Sequence, residues 1–268
     1  MGVLGLYSYF ECRSLGIRKS WVSPDEPSIS EQQQQGQQKT EQRRYFILDG
    51  NAYIHHLYCG QFEWIWGGQY SSFVSLLIAH ISALTACGFR LQFLFDGPLP
   101  LQKLQTRLNR DTEKIHKMSR VMNDLEHYHA SGLYNRGVGS RSSSNFLIPP
   151  LVMEVTLQTL RSLDVDLLVC EGEADGLVAQ LAMEKSMDEG VEEAYAVSKD
   201  SDYFIYNTGS STKGGYIPLD TFYTSKNPET SAITITATVY SQSVIANHLG
   251  IRPEFLPLFA SLTGNDYL

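Results

Sequence analysis

The sequence lacks the marks of several protein classes. Its four cysteines have no close-pair spacing, so the 268 residues predict neither a disulfide framework nor a zinc site. No apolar run reaches the roughly 18–20 residues that a membrane-spanning helix needs. The N-terminus has no basic segment before an apolar core, as a signal peptide would, and Leu6 stands where a myristoylation motif needs Ser or Thr. These absences predict an intracellular protein without a membrane partner, and they do not distinguish nucleus from cytoplasm.

Positive charge is also scarce. The chain has 21 Lys and Arg against 29 Asp and Glu, which gives a formal net charge of −8. Such a balance argues against a nucleic-acid affinity carried by the whole surface. Any contact with nucleic acid must therefore come from local basic faces.

Two mainly apolar runs each end in an acid that is followed by glycine. Residues 45–48 lead into Asp49, and residues 89–95 lead into Asp96. Between them, apolar residues recur at helical spacing over residues 70–87. A strand, a helix and a strand with an acid after each strand are typical of a parallel sheet whose carboxyl edge carries a site. The sequence predicts an α/β fold with a central, mostly parallel sheet flanked by helices and an acidic site at the C-terminal edge of the strands.

The rest of the chain continues this alternation of strands and helices. Further strands are predicted over residues 164–170, 194–198 and 233–239, and further helices over residues 6–10, 101–128, 151–163, 241–250 and 257–262. Residues 18–43 are polar and contain a run of four glutamines, so we expect a flexible loop there.

Two short acidic signatures dominate the second half of the chain. The first holds Glu171, Glu173 and Asp175 at the start of a predicted helix, and the second holds Asp200 and Asp202 after a predicted strand. On an extended segment residues i and i+2 point to the same side, so we expect each pair to converge. Converging carboxylates repel one another and are costly to bury, which favours a hard divalent cation with oxygen ligands. The alternative is an acidic helix N-terminus favoured by the helix dipole, together with a solvated acidic turn.

Short motifs around these acids extend over nearly the whole chain. They are Met1-Gly2-Val3-Leu4-Gly5-Leu6, Asp49, Phe95-Asp96-Gly97, Glu171-Gly172-Glu173-Ala174, Asp200-Ser201-Asp202 and Gly264-Asn265-Asp266-Tyr267. In this order they resemble the motifs of the flap endonuclease/XPG-type nucleases, which are structure-specific nucleases with a PIN-like, Rossmann-like α/β fold. Within that superfamily, Glu173-Ala174-Asp175 and the charged stretch over residues 183–193 look most like the asteroid branch.

The resemblance implies two divalent ions, Mg²⁺ with Mn²⁺ as a substitute, and hydrolysis of nucleic-acid phosphodiester bonds by a two-metal mechanism. The implied metal ligands are Asp49, Asp96, Glu171, Glu173, Asp175, Asp200, Asp202 and Asp266. Asp175 is an acid beyond the family's seven, and it competes with Glu171 as the partner of Glu173.

The resemblance also implies contacts with the nucleic acid. Lys103 and Arg110, seven residues apart and hence on one helical face, are expected to steady the scissile phosphate as catalytic residues. The backbone of Gly2 is expected to approach the strand closely. His55 stands where these nucleases usually carry an aromatic residue that stacks on DNA.

The expected organisation is a single nuclease domain over residues 1–268 with a basic, helical, arch-like insertion over residues 101–148. The chain is expected to stop before the helix-turn-helix element with which these nucleases grip duplex DNA. We expect DNA or RNA, branched or single-stranded, as substrate, allow for protein partners, and expect no small-molecule cofactor. The alternative function is a catalytically silent, nuclease-like scaffold of the asteroid type that binds protein or RNA. The complete acid set favours catalysis, whereas the acidic net charge, His55 and the missing element favour the scaffold.

Overall fold

The computed structural model describes residues 6–24, 43–62, 64–131, 146–209 and 212–263. Two predicted site residues, Gly2 and Asp266, lie outside these ranges, as does most of the predicted loop.

The described strands form two sheets. They are β1 (Ile17–Val22), β2 (Arg44–Asp49), β3 (Phe89–Phe95), β4 (Asp166–Val169), β5 (Glu193–Ser198), β6 (Gly214–Pro218), β7 (Tyr223–Lys226) and β8 (Ile233–Val239). The central sheet has the order β4-β3-β2-β5-β6, and all neighbouring pairs in it are parallel. The chain runs outward from β2 to β4 and then returns to the other side of β2. The strand order therefore reverses between β2 and β5, and ligands of open parallel sheets bind at such a reversal.

Helices flank the central sheet, which confirms the predicted α/β class. They are α1 (Leu6–Glu11), α2 (Gly50–Tyr58), α3 (Tyr70–Ala86), α4 (Leu104–Ser131), α5 (Val152–Ser162), α6 (Asp175–Met187), α7 (Gln242–Leu249) and α8 (Leu256–Thr263). Short 3₁₀ turns lie among them, including Leu101–Lys103 and Ser201–Phe204. Within the described ranges, no helix has both the length and the apolar character needed to cross a bilayer.

The core lies on both faces of the central sheet because side chains alternate along its strands. In β2, Phe46 and Leu48 belong to one apolar cluster and Ile47 belongs to the other. The first cluster includes α3 and α5, and in it the ring of Phe46 stacks on Phe89 with 3.7 Å between ring centroids. The second includes Val178 of α6. Each fully buried side chain of this kind stabilises the fold by roughly 1.5–3 kcal/mol, so the central strand is held from both faces.

The second sheet is antiparallel, with the order β1-β8-β7. It corrects the predicted loop over residues 18–43, because residues 18–22 belong to β1. Trp21 lies opposite Ile235 of β8, is only 6% exposed and packs edge-on against Phe89 and Tyr195. The strand was not recognised in the sequence because its composition is mostly polar and Trp21 is its one buried side chain.

Candidate active site

Acidic residues follow the carboxyl ends of four adjacent strands of the central sheet. Asp49 is the last residue of β2, and Asp96 directly follows β3. Glu171 and Asp200 each lie two residues past the ends of β4 and β5. Because these strands are parallel, all four positions lie at one edge of the sheet, around the reversal between β2 and β5.

Asp49 is buried, with 7% of its surface exposed, and is held from two sides. Its Oδ1 accepts a hydrogen bond from the backbone N–H of Ala52 at 3.0 Å, which caps α2, and its Oδ2 accepts one from the hydroxyl of Ser198 at 2.8 Å. Burial raises the pKa of Asp49, these two hydrogen bonds lower it, and the negative charges of Asp96 and Asp200 raise it further. The net direction is upward, so the ionised form is destabilised by its surroundings.

Asp96 connects the loop after β3 to two other elements. One of its oxygens accepts a hydrogen bond from the side-chain amide of Asn51 at 2.9 Å, and the other accepts one from the backbone N–H of Ala174 at 2.8 Å. These two contacts fix the orientation of the carboxylate between α2 and the start of α6.

The glycine after Asp96 permits this arrangement. The N–H of Gly97 donates to the carbonyl of Gly172 at 2.8 Å, and a Cβ at Gly97 would overlap the carbonyl oxygen of Cys170. The backbones of the loops after β3 and β4 are therefore in direct contact at Gly97. Their contact explains why the motif needs glycine at this position.

Glu173 forms an ion pair with Lys103, whose Nζ lies 2.6 Å from Glu173 Oε1. The side chains are 16% exposed for Lys103 and 31% for Glu173. Lys103 belongs to the 3₁₀ turn that leads directly into α4, and Arg110 lies within α4. Glu171 is exposed.

Asp175 is the first residue of α6 and lies within the acidic group. Its Oδ1 accepts a hydrogen bond from the hydroxyl of Tyr203 at 3.2 Å. Burial, followed by the charges of Asp49, Asp200 and Asp96, raises the pKa of Asp175 to about 7. Because Asp175 is partly buried among other acids, it is a stronger candidate metal ligand than Glu171, which is exposed.

The spacing of Asp200 and Asp202 predicted that they lie side by side on an extended segment, but the structure has a helical turn there. β5 ends at Ser198, and the next residues form the 3₁₀ turn Ser201–Phe204, for which Asp200 is the N-cap. The Asp200 carboxylate accepts a hydrogen bond from the backbone N–H of Asp202 at 3.3 Å. A helical turn replaces the extended geometry because this carboxylate caps the N–H of Asp202 at the start of the turn.

Two further predicted nucleic-acid contacts, His55 and Arg110, lie on helices α2 and α4. His55 is exposed on α2, and its ring meets Phe146 at 6.4 Å between centroids. Desolvation by the surrounding protein, followed by the positive charges of Lys199 and His56, lowers the pKa of His55. It therefore presents a neutral ring near pH 7. Arg110 is exposed on α4.

In the ranges that the structure covers, no three His, Cys, Asp or Glu side chains are arranged to hold one metal ion. The donor set nevertheless fits a hard divalent cation in its chemistry, because it consists of carboxylates. Asp96 and Asp200 both raise the pKa of Asp49 and of Asp175. A cation among these groups would relieve that repulsion.

Sequence reasoning missed three residues that hold the acids in place. Asn51 donates to Asp96, Ser198 donates to Asp49, and Tyr203 donates to Asp175. Each stands within two residues of an acid along the chain, and that closeness is the only signal that was available for them.

Comparison with known proteins identifies relatives of the chain. Residues 143–267 match the family model described as XPG domain containing. Over 274 residues the chain is 26% identical to the single-strand DNA endonuclease ASTE1 of Danio rerio, with 100% of the chain and 33% of that protein covered. It is 23% identical over 321 residues to Protein asteroid of Drosophila melanogaster, with 100% of the chain and 32% of that protein covered. The chain thus spans about a third of the length of these relatives.

The fold is similar to that of a solved nuclease core. The catalytic core of Rad2 in complex with DNA substrate is similar with a TM-score of 0.53 and 15% identity, over 99% of this chain and 63% of that one. The sequence similarities to the family model and the two relatives support the asteroid branch of the XPG-like nuclease superfamily as the family of the chain.

Proposed function

We propose that this domain is a divalent-metal-dependent nuclease that hydrolyses phosphodiester bonds at the carboxyl edge of its central sheet. The observation that carries the proposal is the grouping of Asp49, Asp96, Asp175 and Asp200, in which two acids raise the pKa of the other two. Grouped, partly buried carboxylates cost folding free energy, and perturbed acids of this kind cluster at functional sites.

We propose two metal positions at this edge. The residues that would hold the ions are Asp96, Glu171 and Glu173 for one and Asp200, Asp202 and Asp266 for the other, with Asp49 beside the first. We add Asp175 to this set because of its charge environment. When bound, such ions lower the pKa of a water molecule and stabilise the leaving oxygen.

The protein's own side chains position the carboxylates and the substrate. Asn51 and Ser198 hold Asp96 and Asp49 through hydrogen bonds of 2.9 and 2.8 Å. Lys103 neutralises Glu173 at 2.6 Å, and an incoming phosphate group would compete with that carboxylate for the ammonium. The exposed guanidinium of Arg110 on α4 would add a bidentate contact to a phosphate.

Single-stranded DNA is the first substrate to test, because the Danio rerio relative is named as a single-strand DNA endonuclease. A single strand also agrees with the net charge of −8, since its density of phosphate charge is lower than that of a duplex. RNA is the second substrate class.

The test is cleavage of end-labelled single-stranded DNA, single-stranded RNA and a 5′-flap substrate in Mg²⁺, Mn²⁺ or EDTA. Asp200→Asn is compared with Glu192→Gln, an isosteric change of a 54% exposed acid that pairs with Arg44 at the opposite edge. We expect metal-dependent cleavage by the wild type and by Glu192→Gln. The cleavage rate of Asp200→Asn should be at least ~100-fold lower than that of the wild type. Removing a residue that only orients a metal ligand already lowers activity or metal affinity about 10–100-fold.

Cleavage that survives in both EDTA and Asp200→Asn would contradict the proposal. Oligonucleotide binding by the wild type without any cleavage in millimolar Mn²⁺ would instead support the silent scaffold.

A further inference from the structure

The 28-residue helix α4 carries a row of apolar side chains that face solvent. Leu104, Leu108, Ile115, Met118 and Met122 are 49, 51, 61, 51 and 57% exposed. Leu101, in the turn before the helix, continues the row at 85% exposed. These six residues form the apolar stripe, and none of them belongs to either core cluster. Single exposed apolar residues are ordinary, but a continuous apolar patch marks a contact surface.

The apolar stripe has a seven-residue repeat. Its members are separated by three, four, seven, three and four residues, so that Leu101, Leu108, Ile115 and Met122 share one heptad position and Leu104 and Met118 share another. A 3.5-residue average spacing keeps a seam facing a second helix along its whole length. The period therefore indicates a helical occupant.

One polar residue interrupts the repeat. Asp111 occupies the heptad position between Leu104 and Met118, and its carboxylate pairs with Arg107 at 3.1 Å and Lys114 at 2.9 Å. A single polar residue in an apolar seam selects one register of the partner helix at some cost in stability. This interruption favours binding of a specific partner over non-specific hydrophobic association.

The surface around the apolar stripe is basic. Residues 101–120 contain six Lys or Arg and two Asp or Glu, in a chain whose net charge is −8. A second copy of the chain would bring two basic segments together, and juxtaposed like charges suppress such pairing. Nucleic acid would be attracted to the cations, but it binds through phosphate contacts and base stacking, and the stripe has no aromatic side chain.

We propose that the apolar stripe of α4 binds an amphipathic helix of another protein, with an apolar seam against the stripe and acidic residues along its flanks. The stripe supplies the apolar contact, and the basic residues beside it select the sign of the partner's charge. This inference goes beyond the nuclease function and does not depend on it.

The test uses the full chain and two synthetic four-heptad peptides with Leu at the seam positions. One peptide has Glu at both flanking positions and the other has Lys there, and binding is followed by fluorescence anisotropy. Leu108→Ser combined with Ile115→Ser removes the centre of the stripe at two exposed sites, so folding should be preserved. Asn109→Ser combined with His116→Ser is the matched control, one residue further along on the exposed polar surface.

We expect the Glu peptide to bind at least tenfold more tightly than the Lys peptide, and the stripe variant to weaken that binding at least tenfold while the control variant does not. Equal binding of the two peptides, or no binding, would overturn the proposal. Two other outcomes would also overturn it. One is dimerisation of the wild type, by sedimentation, that the stripe variant abolishes. The other is an equal loss of single-stranded DNA binding in that variant.

Discussion

Both edges of the central sheet carry acidic residues, but these residues have different partners at the two edges. At the amino edge, Glu193 of β5 accepts hydrogen bonds from the ammonium of Lys19 at 2.9 Å and the indole of Trp21 at 2.7 Å. Asp166 of β4 pairs with the guanidinium of Arg90 at 2.8 Å.

At the carboxyl edge, Glu173 pairs with Lys103. The other acids there, Asp49, Asp96 and Asp175, accept hydrogen bonds from backbone N–H groups, hydroxyls and an amide, and they lie among other acids.

The pKa shifts run in opposite directions at the two edges. Burial alone would raise the pKa of Glu193, but the hydrogen bonds from Lys19, Trp21 and Tyr195 outweigh it and lower the pKa. At the other edge, burial and neighbouring acids raise the pKa of Asp175 to about 7. Ion pairing at the amino edge therefore stabilises the fold, whereas the carboxyl edge retains repulsion that a cation would remove.

The amino edge also has a cavity of about 890 Å³. Its lining mixes Arg43 and Arg90 with Asp164, Asp166 and Asp188. Charges of both signs line this cavity, so it differs from the carboxyl edge, where acidic side chains are grouped together.

The largest expected contrast is in nuclease activity. Asp96→Asn should reduce metal-dependent cleavage of single-stranded DNA at least ~100-fold, because a carboxylate in the acidic group is lost. Asp166→Asn, which removes an acid from the amino edge, should leave the rate within about twofold because exposed ion pairs contribute little. Initial rates under saturating Mg²⁺ measure both. Equal losses in the two variants would mean that the edges do not differ in function.

A smaller effect is expected in stability at the acidic edge. Asp175 has a folded pKa of about 7 against an ordinary 3.8, so the folded protein loses stability as pH rises from about 4 to 7. Asp175→Asn should therefore raise the free energy of unfolding by roughly 1–3 kcal/mol at pH 8 without divalent ions, allowing for partial solvent exposure. The gain should vanish near pH 4. Urea unfolding at both pH values tests this, and a gain that does not depend on pH would contradict the assigned repulsion.

At the amino edge, neutralising an acid is expected to lower the free energy of unfolding rather than raise it. The pKa of Glu193 is lowered in the folded state, so its stabilisation is present above the ordinary value of 4.5 and is lost as pH falls below it. Glu193→Gln should lower the free energy of unfolding by roughly 1–2 kcal/mol at pH 7. The same urea experiment measures it. A stabilised Glu193→Gln variant would show that the two edges are alike.

Strands with strong apolar patterns were predictable from the sequence. The apolar runs of β2 and β3 end in Asp49 and Asp96, and their parallel pairing follows from the helix between them. The carboxyl-edge placement of the acids follows from the same pattern. α3 also follows its predicted spacing closely, since its bounds are Tyr70–Ala86.

The remaining features depend on contacts between distant parts of the chain. β1 was missed because its only buried residue, Trp21, pairs with β8 far along the sequence. The turn at Asp202 depends on capping by Asp200, and spacing alone favoured an extended segment. The ion pair of Lys103 with Glu173 joins two loops, so local pattern carried no sign of it.

The central claim is that the acidic edge binds divalent cations, and calorimetric titration with Mg²⁺ and Mn²⁺ tests it most directly. The wild type and Glu192→Gln should bind the metal and Asp200→Asn should bind it at least tenfold more weakly, because a carboxylate beside the strand reversal is lost. Binding should also raise the melting temperature of the wild type by mass action. No binding by the wild type at millimolar metal, or equal binding by Asp200→Asn, would contradict the account.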